Sequence, residues 1–189
     1  MTKRIYDVCV IAASAGGVQA LLKILPALNA KQNLTTIVLL HMAEDHGFSS
    51  ILASRCAVPV KVAEAGVIAS SGIIWIAPSG YHLLLEKNKQ FSLSADEKVC
   101  NVRPSANVLF TSVADAWREH VIGIVLTGSN EDGAEGLREI RSRDGLAIVQ
   151  SPVEAEYPQM PTEALRIAGA DIVLTLDQIA IFLGALPEG

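Results

Sequence analysis

Three polar side chains that could perform nucleophilic chemistry together each follow an apolar run of strand length. Ser14 follows YDVCVIAA, His41 follows TTIVLL, and Asp132 lies in the turn TGSNEDG after VIGIVL. A serine hydroxyl is a weak nucleophile that needs a base to take its proton, and imidazole is the usual base near neutral pH. An acid bound to the far nitrogen of that imidazole fixes its tautomer. The three residues are therefore candidates for an acyl-transfer site.

Each of these residues also has a plainer interpretation. Ser14 could cap the next helix or begin a phosphate-binding loop, because AASAG lacks the first glycine of the G-x-S-x-G motif. His41 could be a half-buried histidine bonded to a loop carbonyl. Asp132 and Glu131 could be first-turn acids favoured by the dipole of the next helix. Three such strand ends in one chain make coincidence a weaker explanation than it is for any one of them.

The remaining histidines do not follow strands in this way. We expect His46, His82 and His120 to be loop or surface residues. The order Ser, His, Asp along the chain also differs from the Ser, Asp, His order of α/β-hydrolases. The sequence therefore does not predict a standard α/β-hydrolase.

Apolar runs of strand length alternate with segments of helical period, which is typical of βαβ units in a parallel sheet. The predicted strands are residues 6–12, 35–40, 122–126, 147–150 and 172–174, and the predicted helices are residues 18–28, 46–56, 105–119, 133–143, 161–168 and 176–186. Ligands of such sheets bind at the carboxyl ends of the strands. The three candidate residues lie at those ends.

Residues 60–96 have a different pattern, with closely spaced strand-like pieces and a hairpin turn predicted at Lys87-Asn88-Lys89. This region is either an antiparallel insertion or an extension of the sheet. The predicted fold class is α/β: a doubly wound, mostly parallel sheet with helices on both faces and a small antiparallel β-hairpin insertion. At 189 residues, without a repeat or linker, the chain is predicted to form one domain over residues 1–189.

Composition limits the possible partners. The net charge of -5 is spread along the chain without a basic stripe, so no nucleic acid partner is expected. The three cysteines form no CxxC pair, which predicts reduced, buried thiols in a cytoplasmic protein. Without an apolar run of about 20 residues, no membrane insertion is expected. The sequence leaves the oligomeric state open.

Several segments, in their order and approximate spacing, carry a likeness to one known family. They are IAASAGGVQAL, LLHM, GIIWIAPSGYHLLL, RPSANVLFTS, VIGIVLTGSNEDGAEGL and QMPTEAL. With these segments the chain resembles the catalytic domain of the chemotaxis protein-glutamate methylesterases, the CheB family. The likeness extends over nearly the whole chain.

The resemblance implies a role for each candidate residue. Ser14 would be the nucleophile, His41 the general base and acid, and Asp132 the residue that orients His41. In an assembled site we expect His41 Nε2 to lie about 2.6 to 3.2 Å from Ser14 Oγ, with Asp132 behind the ring. Backbone N–H groups near Ala15 and Ser129 would support the oxyanion. The implied reaction is hydrolysis of γ-glutamyl methyl esters on methylated chemoreceptors, with glutamine deamidation in some members. No metal or organic cofactor is implied.

The chain departs from the family pattern close to these residues. The usual G-A-S-T-G-G has Ala12 and Ala15 in place of its first glycine and its threonine, and G-M-G becomes Gly128-Ser129-Asn130. Asparagine suits that last position if the backbone has a positive φ there. Asn107 replaces the acid of RPSxD.

Two further expectations concern regulation and alternative functions. The chain begins at the first strand of the domain, so a stand-alone form without a receiver domain is expected. A catalytically weakened binding or scaffold protein is the alternative function. A nucleotide binder is disfavoured because the chain has neither GxGxxG nor GxxxxGK[ST].

Overall fold

The computed structural model describes residues 6–188 and has a seven-stranded parallel sheet at its centre. The strand order is β3-β4-β2-β1-β7-β8-β9, and every neighbouring pair is parallel. The strands are β1 Val8–Ala13, β2 Thr35–Leu40, β3 Val60–Val62, β4 Ile73–Ile76, β7 Val121–Val125, β8 Leu146–Gln150 and β9 Ile172–Leu174, with the antiparallel hairpin β5 His82–Leu85 and β6 Phe91–Ser94 outside the sheet. The predicted fold class is confirmed.

Helices cover both faces of the sheet. They are α1 Gly17–Ile24, α2 Phe48–Arg55, α3 Ala106–Trp117, α4 Ala134–Ser142, α5 Gln159–Ile167 and α6 Leu176–Gly184, with short 3₁₀ turns at Leu25–Ala27 and Arg118–His120. Helices α3, α4 and α5 pack on one face, and α1, α2 and α6 pack on the other. Each predicted helix is present with its ends shifted by a few residues.

Strand β1 shows why the sheet needs two covering layers. Its alternate residues point to opposite faces, so Val8 and Val10 join the core under α3 and α4, whereas Cys9 and Ile11 join the core under α1 and α6. All four side chains are fully buried. A continuous apolar run of this kind is typical of a central parallel strand.

The region predicted as either an insertion or a sheet extension contains both. Strands β3 and β4 extend the parallel sheet beyond β2, whereas β5 and β6 form the separate antiparallel hairpin. The hairpin turn includes Lys89, which has a φ of 69° and donates its N–H to the carbonyl of Glu86 at 2.8 Å. Phe91 of the hairpin contacts the ring of Trp75 edge-on, with the centroids 5.2 Å apart. The hairpin is thereby attached to the end of the main core.

The strand order brings the ends of β1, β2 and β7 together. Strand β1 pairs with β2 on one side and with β7 on the other, so the direction of winding reverses at β1. A crevice forms at such a switch point, outside the carboxyl ends of the strands. Ser14, His41 and the turn that contains Asp132 follow these three strands directly.

Helix α3 begins beside the same crevice, and Ser105 is its N-cap residue. The hydroxyl oxygen of Ser105 accepts the N–H of Val108 at 3.4 Å, as an N-cap residue does, and the residue is fully buried. The hydroxyl also donates to the carboxylate of Asp132 at 2.6 Å. The Ser105 hydroxyl therefore both caps α3 and hydrogen-bonds the Asp132 carboxylate.

We expect Ser105→Ala to lower the free energy of unfolding by about 2–3 kcal/mol, because it removes a helix cap and a hydrogen bond to a buried carboxylate. Denaturant unfolding measures this loss. The matched control is Ser54→Ala, whose hydroxyl donates to the carbonyl of Ile51 on the exposed face of α2. It should change stability by less than about 0.5 kcal/mol. Equal losses in the two variants would contradict the assigned role of Ser105.

Candidate active site

Ser14 lies one residue beyond β1 in a tight turn. Its N–H donates to the carbonyl of Thr127 at 3.0 Å, and its own carbonyl accepts the N–H of Gly17 at 2.8 Å. The N-cap position of α1 belongs to Gly16, which has a φ of 74°. The helix-cap interpretation of Ser14 is therefore wrong, and its half-buried side chain is available for other contacts.

The turn after β7 comes very close to Ser14 because residue 128 is glycine. A Cβ on Gly128 would overlap the sulfur of Met160 and lie 2.9 Å from the Cβ of Ser14. The N–H of Gly128 donates to the carbonyl of Tyr157, and its carbonyl accepts the N–H of Met160, both at 3.0 Å. A side chain at this position would push the turn away from Ser14.

His41 lies one residue beyond β2, and its ring contacts the β7 turn through both nitrogens. Its backbone N–H donates to the carbonyl of Ala13 at 3.0 Å, which continues the pairing of β1 and β2. The Nε2 is 2.8 Å from Oδ2 of Asp132, and the Nδ1 is 3.1 Å from Nδ2 of Asn130. The expectation that Nε2 faces Ser14 is therefore wrong. The nitrogen left for that role is Nδ1.

Asp132 is the centre of the hydrogen-bond network, and its side chain is fully buried. Its carboxylate accepts hydrogen bonds from His41 Nε2–H at 2.8 Å, the Ser105 hydroxyl at 2.6 Å, the N–H of Ala106 and the N–H of Asn107 at 3.1 Å. The charge therefore faces the N-terminus of α3, which favours anions, rather than the helix that follows Asp132 in the chain.

His82 is buried and binds Ser105, one of the partners of Asp132. The expectation that it lies in a loop or on the surface is therefore wrong. The residue is 2% exposed and begins β5. Its Nδ1 accepts the N–H of Ser105 at 3.1 Å, and its Nε2 donates to the carbonyl of Glu97 at 2.9 Å. A ring that is bonded on both sides fixes the residue that caps α3. The serine of RPSAN could have signalled the cap, but the sequence near His82 gives no sign of its partner.

Asn130 is a member of the site that the sequence did not predict. Its Nδ2 contacts both His41 Nδ1, at 3.1 Å, and Ser14 Oγ, at 3.4 Å. Its Oδ1 accepts the N–H of Asp132 at 2.9 Å. The backbone φ of Asn130 is not positive, so a left-handed conformation does not explain asparagine at this position.

The backbone near Ser14 has donors pointing to no internal acceptor. Among the described residues, neither the N–H of Ala15 nor that of Ser129 donates a hydrogen bond to the protein. Thr127 connects the turn after β1 to the segment before α5, because its hydroxyl donates to the carbonyl of Ala15 at 3.0 Å and accepts the N–H of Tyr157 at 2.9 Å. The N–H groups of Ala15 and Ser129 are the ones expected to support an oxyanion.

Two further departures from the family pattern are accommodated by packing. Ala12 is fully buried in β1, and its Cβ joins the core beneath α3 and α4. The side-chain oxygen of Asn107 accepts the N–H groups of Gly133, at 3.0 Å, and Gly136, at 2.8 Å. An amide is therefore sufficient to hold the start of α4 against α3.

The cysteines are free thiols in the described structure. Cys9 is fully buried, whereas Cys56 and Cys100 are half-buried, so the prediction of buried thiols holds fully only for Cys9. Burial raises the pKa of the Cys100 thiol, and the negative charges of Asp132 and Glu131 raise it further. A neutral thiol therefore lies near the network around Asp132.

Two clefts flank the candidate residues. One has a volume of about 260 Å³ on the His41 side, and the other has a volume of about 290 Å³ on the Ser129 side. The first is lined by His41, Met42, Ala43, Lys98, Asn101, Val102, Arg103 and Pro104, and the second by Ser129, Tyr157, Pro158, Gln159, Thr162 and Glu163.

Residues 6–188 hold no cluster of three His, Cys, Asp or Glu side chains suited to a metal ion. The same residues form no helix long and apolar enough to cross a membrane.

The structure is similar to a solved structure of the same size. The CheB methylesterase catalytic domain of Thermotoga maritima superposes with a TM-score of 0.91 at 28% sequence identity, over 96% of this chain and 99% of that domain. The seven-stranded sheet with its hairpin is therefore the fold of that domain.

Curated proteins are similar in sequence over almost all of the chain. A relative from Leptospira interrogans, whose name joins protein-glutamate methylesterase and protein-glutamine glutaminase, is 40% identical over 93% of this chain and 92% of its own length. A Methanosarcina acetivorans protein with the same paired name is 37% identical, and the protein-glutamate methylesterase FrzG of Myxococcus xanthus is 34% identical. The chain spans 51% and 54% of the lengths of these last two. The sequence pattern of the CheB methylesterase family matches residues 9–183, and the chain belongs to that family.

Proposed function

We propose that this protein is a serine esterase that hydrolyses γ-glutamyl methyl esters on a methylated chemoreceptor or a related signalling protein and releases methanol. The observation that carries the proposal is the His41 and Asp132 pair at 2.8 Å, placed beside Ser14 at adjacent strand ends. Family membership supplies the substrate class, since relatives are named protein-glutamate methylesterases.

The proposed reaction begins with proton transfer from Ser14 to His41. The Ser14 Oγ attacks the ester carbonyl carbon while His41 Nδ1 accepts its proton, and the Nε2–H remains bonded to Asp132. The tetrahedral intermediate collapses, and His41 returns the proton to the departing methoxide, which leaves as methanol. Water activated by the same nitrogen then hydrolyses the acyl-enzyme to free glutamate and Ser14.

The oxyanion of the tetrahedral intermediate would be bound by backbone donors. The unoccupied N–H groups of Ala15 and Ser129 flank Ser14 and suit this role. Neither donor depends on a side chain, so the replacement of threonine by Ala15 leaves this part of the proposed mechanism intact. What this chain lacks is the hydroxyl group that the family's threonine places beside the nucleophile.

The substrate surface would include the two clefts beside the site. The cleft next to His41 is lined by Lys98 and Arg103, whose positive charges would complement an acidic substrate segment. Glutamine deamidation is proposed as a second reaction of the same site, since an amide carbonyl is attacked in the same way and relatives carry the glutaminase name. A cytoplasmic location fits the free thiols.

We expect Ser14→Ala and His41→Asn each to lower methanol release from a methylated receptor fragment by roughly a thousandfold or more, because each removes a reacting group. Release is measured as methanol formed per enzyme per minute under saturating substrate. The matched controls are Ser54→Ala and His46→Asn, which change exposed residues of the same types. The controls should retain wild-type turnover.

Turnover by Ser14→Ala near the wild-type level would exclude the serine mechanism. A folded wild-type protein that neither releases methanol nor reacts with serine-directed phosphonates would instead support the scaffold alternative. The two results are distinguishable because the first leaves an active enzyme and the second does not.

Asp132→Asn should lower turnover by roughly 10³–10⁴-fold. The amide nitrogen would face donors that now bind the carboxylate, and the tautomer of His41 would no longer be fixed. The same variant should be less stable by about 1–3 kcal/mol, since a buried donor is left without an acceptor. Paired kinetic and unfolding measurements separate the two effects, with Glu131→Gln, an exposed neighbour, as control. Turnover within tenfold of the wild type would contradict the proposed role of Asp132.

A further inference from the structure

We propose that Asn130 is a positioning residue that acts as a latch: in the resting enzyme its side-chain amide occupies the base nitrogen of His41 and holds Ser14 away from it. The proposal rests on the serine mechanism proposed above. Its basis is the placement of Asn130 Nδ2, which is 3.1 Å from His41 Nδ1 and 3.4 Å from Ser14 Oγ. Within residues 6–188, no direct hydrogen bond joins Ser14 to His41.

The orientation of the Asn130 amide follows from its other contact. Its Oδ1 accepts the backbone N–H of Asp132 at 2.9 Å, and only an oxygen can accept that hydrogen. The group that faces His41 and Ser14 is therefore the NH₂, which donates. The exchange of oxygen and nitrogen that often leaves an amide ambiguous is excluded by this bond.

The tautomer of His41 follows from Asp132. A carboxylate accepts hydrogen bonds, so the His41 Nε2 carries the hydrogen that points to Asp132 at 2.8 Å. In the neutral ring the Nδ1 then has a lone pair and no hydrogen. Asn130 donates to that lone pair. The Asp132 carboxylate and the Asn130 amide together select the tautomer that the proposed mechanism needs.

The same contact restrains the reaction. The lone pair of Nδ1 must accept the proton of Ser14, and it cannot do so while it accepts the hydrogen of Asn130. The side chain of Asn130 must therefore rotate away from His41 before Ser14 can be deprotonated. Because a neutral hydrogen bond of this kind contributes a modest net free energy, the restraint corresponds to roughly a threefold to tenfold reduction in the reactivity of Ser14.

Opening of the latch breaks the bond between Asn130 Oδ1 and the Asp132 N–H but none of the hydrogen bonds to the Asp132 carboxylate. Asn130 is half-buried, next to the exposed Ser129 and Glu131, so its side chain can turn towards solvent. The Asp132 carboxylate holds its four donors whether or not the amide stays in place. A glycine at this position, as in the G-M-G pattern, would have no amide to place on the base.

The test compares the wild type with Asn130→Ala and Asn130→Ser in two measurements. The first is the rate at which a small fluorophosphonate labels Ser14, which requires no methylated receptor. The second is the ¹⁵N resonance of His41 Nδ1, which reports directly on a hydrogen bond to its lone pair. The serine variant keeps an oxygen that can accept the Asp132 N–H on a shorter side chain without the NH₂ group, so it separates loss of the amide from loosening of the turn.

We expect labelling to be roughly threefold to tenfold faster in at least one variant, with the Nδ1 resonance moved downfield in the same protein. Glu131→Gln, which changes an exposed neighbour in the same turn, should match the wild type in both measurements. Slower or unchanged labelling in both variants overturns the latch. An unmoved Nδ1 resonance overturns it as well, whatever the labelling rates.

The outcome for the latch is distinguishable from the outcome for the proposed function. Methanol release by the wild type with normal labelling in both variants would leave the esterase proposal standing and remove the latch. Faster labelling with a moved resonance, in a protein that releases no methanol from a methylated receptor fragment, would support the latch and contradict the proposed substrate. Thermal unfolding of each variant confirms that the compared proteins are folded.

Discussion

The arrangement of the site depends on one buried negative charge. A carboxylate removed from water is costly unless it is paired and hydrogen-bonded. For Asp132 this cost is offset by hydrogen bonds from the N-terminus of α3, the hydroxyl of Ser105 and the ring of His41. Because these partners belong to two distant parts of the chain, the start of α3 and the end of β2, satisfying this charge fixes both of them relative to the β7 turn. Any movement of one element would leave the charge short of a donor.

Helix α3 is therefore part of the site as well as a core helix. Its buried face packs against the sheet, and its N-terminus balances the charge of Asp132. The position of that N-terminus depends in turn on Ser105, which is held by His82 of the hairpin. The hairpin, which contributes no strand to the central sheet, is thus connected to Asp132 through two hydrogen bonds and to His41 through a third. A rigid support of this kind keeps dipoles oriented without reorganisation during a reaction.

The sequence predicts the parts of this arrangement that depend on local pattern. The apolar runs and their polar ends indicate the parallel sheet and bring Ser14, His41 and Asp132 to one edge. The roles of His82 and Asn130 depend on contacts between distant segments, and neither residue type nor spacing indicates them. His82 does not follow a predicted strand and is therefore expected in a loop or at the surface, yet the packing of the hairpin on α3 buries it. Asn130 replaces a glycine without a positive φ, so its significance is visible only in its contacts.

The orientation of the His41 ring follows from strand register. Ala13 of β1 pairs with Leu40 of β2, so the next residues, Ser14 and His41, are direct neighbours on strands about 4.8 Å apart. Nδ1, the ring nitrogen nearer the backbone, lies 3.1 Å from Asn130 Nδ2 and is the nitrogen that the proposed mechanism uses towards Ser14. The more distant Nε2 extends past it to Asp132 in the turn of β7. Adjacent, in-register strands therefore account for a His41 ring that reaches Asp132 through Nε2 and contacts the amide of Asn130 through Nδ1.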